Sequence, residues 1–247
     1  MVIPGLRDEV AEAANVMARL GLVTAYGHVS ARAGASMLIT PAADLACVTG
    51  SGVIEVPLEA DGTLPAGAPA EAWAHLALYR ARPDATAIAR AQPASAFAVA
   101  AAVGSMVPLH GQAAWLGESV PVHHDAVLLR SPGQAERAAD SLPAGEALLL
   151  RGNGAITLGA TPGLAVARMW LLAAACDVYL EAMSASGAAP GAASGAGPVT
   201  PLSAGEIASW RAVGGELLPR LWQHLRSRSG SPGSSGSWGP RPGEEQG

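Results

Sequence analysis

The chain has 247 residues, half of them hydrophobic, a formal net charge of −5 and no lysine. That length carries one α/β domain of ordinary size, or one domain with a tail. The mild acidity argues against nucleic acid or an acidic membrane surface as partner, and the missing lysine removes Schiff-base chemistry.

Cys47 and Cys176 are the two cysteines. They make neither a disulfide framework nor a C-x-x-C pair, so a reducing cytoplasm is expected. "MVIPGLRDEV" has no basic and apolar leader pattern, which speaks against a signal peptide. The most apolar segment, "LAVARMWLLAAACDVYLEAM", carries Arg168, Asp177 and Glu181, so it is not read as a membrane span.

In chain order, Val10, Ala14, Met17 and Leu20 share one face of a helix over "RDEVAEAANVMARLG", with Gly21 at its end. "LVTAYGHVSAR" and "SMLIT" read as paired strands, and "VTGSGVIEVPL" continues the β pattern. "AEAWAHLALYRARPD" is a helix ended by Pro83. "ATAIARAQP" is a strand on which Arg90 and Gln92, two apart, share a face. "ASAFAVAAAVG" is a helix, followed by short strands at "VPLHG" and "VPVHH". "SPGQAERAADSLP" is a helix with serine and proline at its start. "ALLLRGNGAITLG" is strand, tight turn, strand, and Thr161 then caps a long helix over "TPGLAVARMWLLAAACDVYLEAM". The organised part is residues 1–183. A flexible linker is expected over 184–202, a helical segment broken near Gly214–Gly215 over 203–228, and a disordered tail over 229–247.

Four stretches, "LGLVTAYGHVSAR", "AEAWAHLALYRARPDATAIARAQP", "AWLGESVPV" and "ALLLRGNGAITLG", resemble the class II aldolase/adducin family in order and spacing. "GHVSAR" with "YRARPD" is similar to its decarboxylase-like bacterial branch. The resemblance implies a three-layer α/β/α fold, a central mainly antiparallel sheet flanked by helices, and a homotetramer acting on a small molecule. Relatives carry H-x-H on the strand after "RPD" and G-H-G in the turn after "LLLR". These histidines hold zinc or another divalent metal, and a glutamate at the preceding helix start serves as acid/base or fourth ligand. Here the glutamate is Glu71, and the histidine positions hold Arg90, Gln92 and Asn153.

A guanidinium is always cationic and offers no lone pair, so no metal cofactor is expected at that position. A relocated site from His110, His123 and His124 is the competing thought, although adjacent residues of a strand point to opposite faces. Arg90, Gln92, Asn153 and Glu71 are the candidate catalytic residues, with Arg90 taking over the metal's electrostatic task. The alternative is that Arg90 pairs with Glu71 in a decayed pocket. By the same resemblance Gly27, His28, Ser30, Thr40 and His110 are candidate substrate contacts. Ala42 and Ala43 after "TP" weaken a phosphate site. His75, four residues beyond Glu71, either orients it or is a satisfied core histidine, and Tyr179 reads as packing. Two functions remain open: a metal-independent lyase-like enzyme (retro-aldol, decarboxylation, enolisation or dehydration) on a small oxygenated carbonyl or carboxylate compound, and a non-catalytic adducin-like scaffold or partner subunit.

Overall fold

The structure, a computed structural model, describes residues 5–187 and 199–228. Helix α1 (Leu6–Arg19) leads into β1 (His28–Ala33), β2 (Ser36–Ile39) and β3 (Ile54–Pro57). Helix α2 (Ala72–Ala81), β4 (Ala87–Ala91) and α3 (Ala94–Ala102) follow. Then come β5 (Ser105–Met106), β6 (Val120–His123), α4 (Pro132–Asp140), β7 (Ala147–Leu150), β8 (Gly154–Gly159), α5 (Pro162–Ala185) and α6 (Ala204–Arg228). Short 3-10 turns lie at Leu45–Cys47, Gly50–Gly52 and Gly111–Leu116. The strands form one eight-stranded sheet in the order β3-β2-β1-β4-β8-β7-β6-β5. Every pairing is antiparallel except β6 with β7. This is the expected layered fold, with a mainly antiparallel sheet between helices.

Strand β4 shows how the sequence sorts the layers. In "AIARA", Ala87, Ala89 and Ala91 face a core shared with α1, α3 and α5, while Ile88 faces the core of α2 and α4. The alternation follows from the two-residue repeat of a strand. The small alanines let the long helix α5 lie close to the sheet, where Ala165, Val166, Met169 and Leu172 are fully buried. Each large buried side chain there contributes roughly 1.5–3 kcal/mol. Arg90 shares the Ile88 face and therefore points toward α2, with no apolar partner of its own kind.

Thr161 caps α5 as expected, its hydroxyl accepting from the Leu164 N–H at 3.2 Å. By length and composition α5 is apolar enough to cross a membrane, but it is a core helix whose Arg168 reaches Glu146 at 3.4 Å. Two local expectations are corrected. "VPLHG" forms no strand: the pairing residues are Ser105–Met106, just before it, and the Leu202 N–H closes on the Pro108 carbonyl at 2.9 Å. The C-terminal helix is unbroken through Gly214–Gly215. Its Leu218 and Leu225 are buried in the main core, and the Trp115 indole donates to the Trp210 carbonyl at 2.7 Å. That burial outweighs the roughly 1 kcal/mol that each helical glycine costs. The linker expected at 184–202 and the tail at 229–247 fall largely outside the described residues.

Candidate active site

Arg90 lies next to the C-terminal end of β4, directly opposite His28 of β1 in the antiparallel register. On the other side β4 pairs with β8, so the β7–β8 turn holding Asn153 lies beside it. Glu71 is the N-cap residue of α2, and its side chain makes no cap hydrogen bond, so the carboxylate is not committed to the helix start. These elements enclose a cavity of about 790 Å³ lined by Gly27, His28, Glu71, Arg90, Gln92 and Asn153 among others. Six of the nine sequence-predicted site residues thus meet around one space.

The other three stand apart from it. Ser30 is fully buried and bridges the His75 Nδ1 at 2.7 Å and the Tyr79 hydroxyl at 2.9 Å. Thr40 is fully buried, its hydroxyl accepting from the Val29 N–H at 3.2 Å, a strand-fixing role. His110 precedes the 3-10 turn at Gly111–Leu116 and does not line the cavity. His123 is buried with its Nδ1 on the Ser141 hydroxyl at 3.0 Å, and His124 is exposed just past the strand.

The guanidinium of Arg90, 3% exposed, donates to the Asn153 carbonyl at 3.2 Å and to its side-chain Oδ1. Arginine has donors only, so it fixes the amide with oxygen inward and Nδ2 turned away. That Nδ2 is buried without a partner, as is the His28 Nδ1. Among the described residues no carboxylate lies within ion-pair distance of Arg90; Glu71 instead meets Arg130 at 3.5 Å. The alternative in which Arg90 pairs with Glu71 is therefore not what the structure forms. The glutamate acts on Arg90 through space, opposing the downward pull that burial exerts on its pKa, while Arg130 adds to that pull. Arg130 is not legible as a site residue in the sequence, because nothing local to "VLLRSPG" marks it.

His75 does not orient Glu71. It is fully buried under the cavity, bonded to Ser30 and edge-on to His28 with ring centroids 6.0 Å apart. Burial, with Arg90 nearby, pushes the His75 pKa down to about 3. Burial, His75 and Arg90 lower His28 in the same direction. Both rings are neutral at pH 7. In the unfolded chain histidine titrates near 6.5, so between that pH and about 3 the unfolded state binds the extra His75 proton. Stability is then fully present above about pH 6.5 and falls on acidification by about 1.4 kcal/mol per pH unit for each such histidine. Urea titrations between pH 8 and pH 5 are expected to show that slope, reduced by one proton's worth in His75→Asn; equal slopes would refute it.

A divalent metal does not fit this donor set. Zinc takes neutral imidazole, thiolate or carboxylate. The space is occupied by a buried guanidinium, which already engages the Asn153 Oδ1. Among the described residues no three His, Cys, Asp or Glu side chains gather into a ligand group, His110, His123 and His124 included. What the arrangement offers is a fixed cation, two buried polar nitrogens without partners (Asn153 Nδ2 and His28 Nδ1), and the Glu71 carboxylate, all on residues that line one cavity.

The sheet order and the cavity at the ends of β1, β4 and β8 define a class II aldolase-type domain. Residues 8–180 match the Class II Aldolase and Adducin N-terminal domain, and the chain belongs to that family. It is 28% identical over 201 residues to the 3,4-dihydroxyphthalate decarboxylase of Terrabacter sp. (strain DBF63), covering 74% of this chain and 83% of that protein. Among solved structures, l-fuculose-1-phosphate aldolase from Thermus thermophilus is 28% identical with a TM-score of 0.67, over 75% of this chain and 98% of that one. An aldolase II superfamily protein from Pseudomonas syringae shares the fold at 21% identity, TM-score 0.72, over 92% of this chain and 94% of that one.

Proposed function

We propose that the chain is a lyase that cleaves a small oxygenated carboxylate compound without a metal at Arg90, Gln92 and Asn153, decarboxylation being the favoured reaction. The observation that carries this is Arg90, a buried cation with no carboxylate partner among the described residues, lining a cavity of about 790 Å³. A buried charge left unpaired costs several kcal/mol, so its retention supports an anionic ligand. The kinship with a decarboxylase points the same way.

In this mechanism Arg90 and the unpartnered Asn153 Nδ2 hold an oxygen of the substrate. As the bond to the departing carboxylate carbon breaks, CO₂ leaves. The bonding electrons pass to the ring or to an adjacent carbonyl, whose growing negative charge faces the guanidinium. Such preorganised donors are worth about 10²–10³ in rate each. A proton taken from solvent and relayed through Glu71 then completes the carbon left behind. Gln92 adds a neutral donor at the rim.

A non-catalytic scaffold would suit a pocket closed by an Arg90–Glu71 pair. The open cavity and the turn of Glu71 toward Arg130 favour the enzyme. CO₂ release from 3,4-dihydroxyphthalate and from hydroxybenzoates tests it, using protein dialysed against a chelator. Turnover is expected in the wild type and lost in Glu71→Gln. Binding of these acids with no bond cleavage in any of them would sink the lyase reading.

A further inference from the structure

We infer that Arg130 is a second anion clamp, one that releases Glu71 to grip a second carboxylate of the ligand, so that the cavity selects dicarboxylates over monocarboxylates. The inference rests on the reading that a substrate carboxylate sits against Arg90, and it adds a residue and a substrate class to it. Two guanidinium groups open into one cavity, Arg90 from the buried strand β4 and Arg130 from the loop before α4.

Their states differ. Arg90 is held in place through Asn153. The Arg130 side chain is 56% exposed, and among the described residues its charged partner is the Glu71 carboxylate at 3.5 Å, itself 13% exposed. A partly exposed pair at that distance contributes little. A two-pronged guanidinium–carboxylate contact shielded by a bound ligand is stronger. Exchange of Glu71 for a ligand carboxylate is therefore downhill.

The backbone is set for such a swing. The Arg130 N–H donates to the Leu128 carbonyl at 2.9 Å and to the Gln134 Oε1 at 3.3 Å, and α4 packs on α2, which begins beside Glu71. The base of the side chain is fixed while its tip is loosely held. Asp44 is the other acid of the wall, but its carboxylate caps the short helix Leu45–Cys47 by accepting from the Ala46 N–H at 2.9 Å. A ligand with two carboxylates thus meets two cations and, once Arg130 has moved, a glutamate free for proton transfer.

Calorimetry with two unreactive probes, benzoate and phthalate, decides the matter. The wild type is expected to bind phthalate about ten-fold or more tighter than benzoate. In Arg130→Met that ratio falls to about one while benzoate affinity holds, and Arg130→Lys recovers part of it. An unchanged ratio, or equal weakening of both probes, would show that Arg130 only steadies Glu71 and would overturn the clamp. Binding of both probes that survives in Arg90→Met would instead overturn the Arg90 reading beneath it. No binding of either probe would overturn both.

Discussion

Arg90→Met is expected to remove activity and leave the fold as stable as before, or more so. The two effects have separate physical sources. In the wild type the guanidinium is 3% exposed and lacks a carboxylate within ion-pair distance among the described residues. Holding such a charge in the interior costs several kcal/mol. Methionine has a similar reach, fills the same space and carries no charge. Against that gain stands the Asn153 Oδ1, which loses its donor at a cost of about 1–3 kcal/mol. The larger quantity is the relieved charge, so the denaturation midpoint should stay level or rise. Turnover should fall about a thousand-fold, the upper range for loss of one preorganised donor to a growing negative charge. Melting temperature and kcat/KM measured on the same preparation check this. A variant that unfolds, losing activity only in step with folded protein, would make Arg90 a structural residue and remove the basis of the proposed chemistry.

The residues of this site differ in how far the sequence alone exposes them. Arg90 and Gln92 are legible because a strand repeats every two residues, and "AIARA" separates cleanly into alanines on one face and Ile88 with Arg90 on the other. Asn153 is legible because "LLLRGNG" reads as strand and tight turn, and antiparallel pairing then brings that turn beside Arg90. Ser30 and Thr40 mislead for the same reason that they look functional. Both are polar residues in a polar-looking motif, yet their hydroxyls are spent on fixing His75, Tyr79 and Val29 inside the sheet layers.

Arg130 is invisible to pattern reading. Its partner Glu71 lies far away in sequence at the start of α2, and the packing of α4 on α2 brings the two together. The C-terminal helix teaches a related lesson. Gly214–Gly215 reads as a break, but Gly215 sits four residues before Pro219, where a proline ring crowds the backbone carbonyl, and the apolar face seats Leu218 and Leu225 in the core. Local propensity yields there to tertiary burial.

Gly154→Ala is expected to be severely destabilising. Gly154 follows Asn153 and has φ +84°, a conformation that L side chains avoid at a cost of about 1–2 kcal/mol. A Cβ built there would stand 2.2 Å from the Ala91 carbonyl oxygen and 2.9 Å from the Gln92 Cα. Both obstacles are backbone of the neighbouring strand, so no side chain can rotate away. Relief requires β4 and β8 to part at the end where Arg90, Gln92 and Asn153 converge. Overpacking of this kind costs typically 1–3 kcal/mol beyond the dihedral strain, for a total of about 4 kcal/mol. In a chain of this size that is a fall in melting temperature of about 8–16 °C. Gly62→Ala separates the two contributions: Gly62 has φ +71° with nothing within 4 Å of its would-be Cβ, so it carries the dihedral cost alone. Thermal melts of both variants should place Gly62→Ala within a few degrees of wild type and Gly154→Ala far below it. Any folded Gly154→Ala should also bind carboxylate probes poorly, because the widened strand pair pulls Asn153 away from the guanidinium it steadies. Equal melts for the two variants would mean that the strands yield freely at this point, and then the amide geometry around Arg90 would not be the rigid preorganised seat that the chemistry requires.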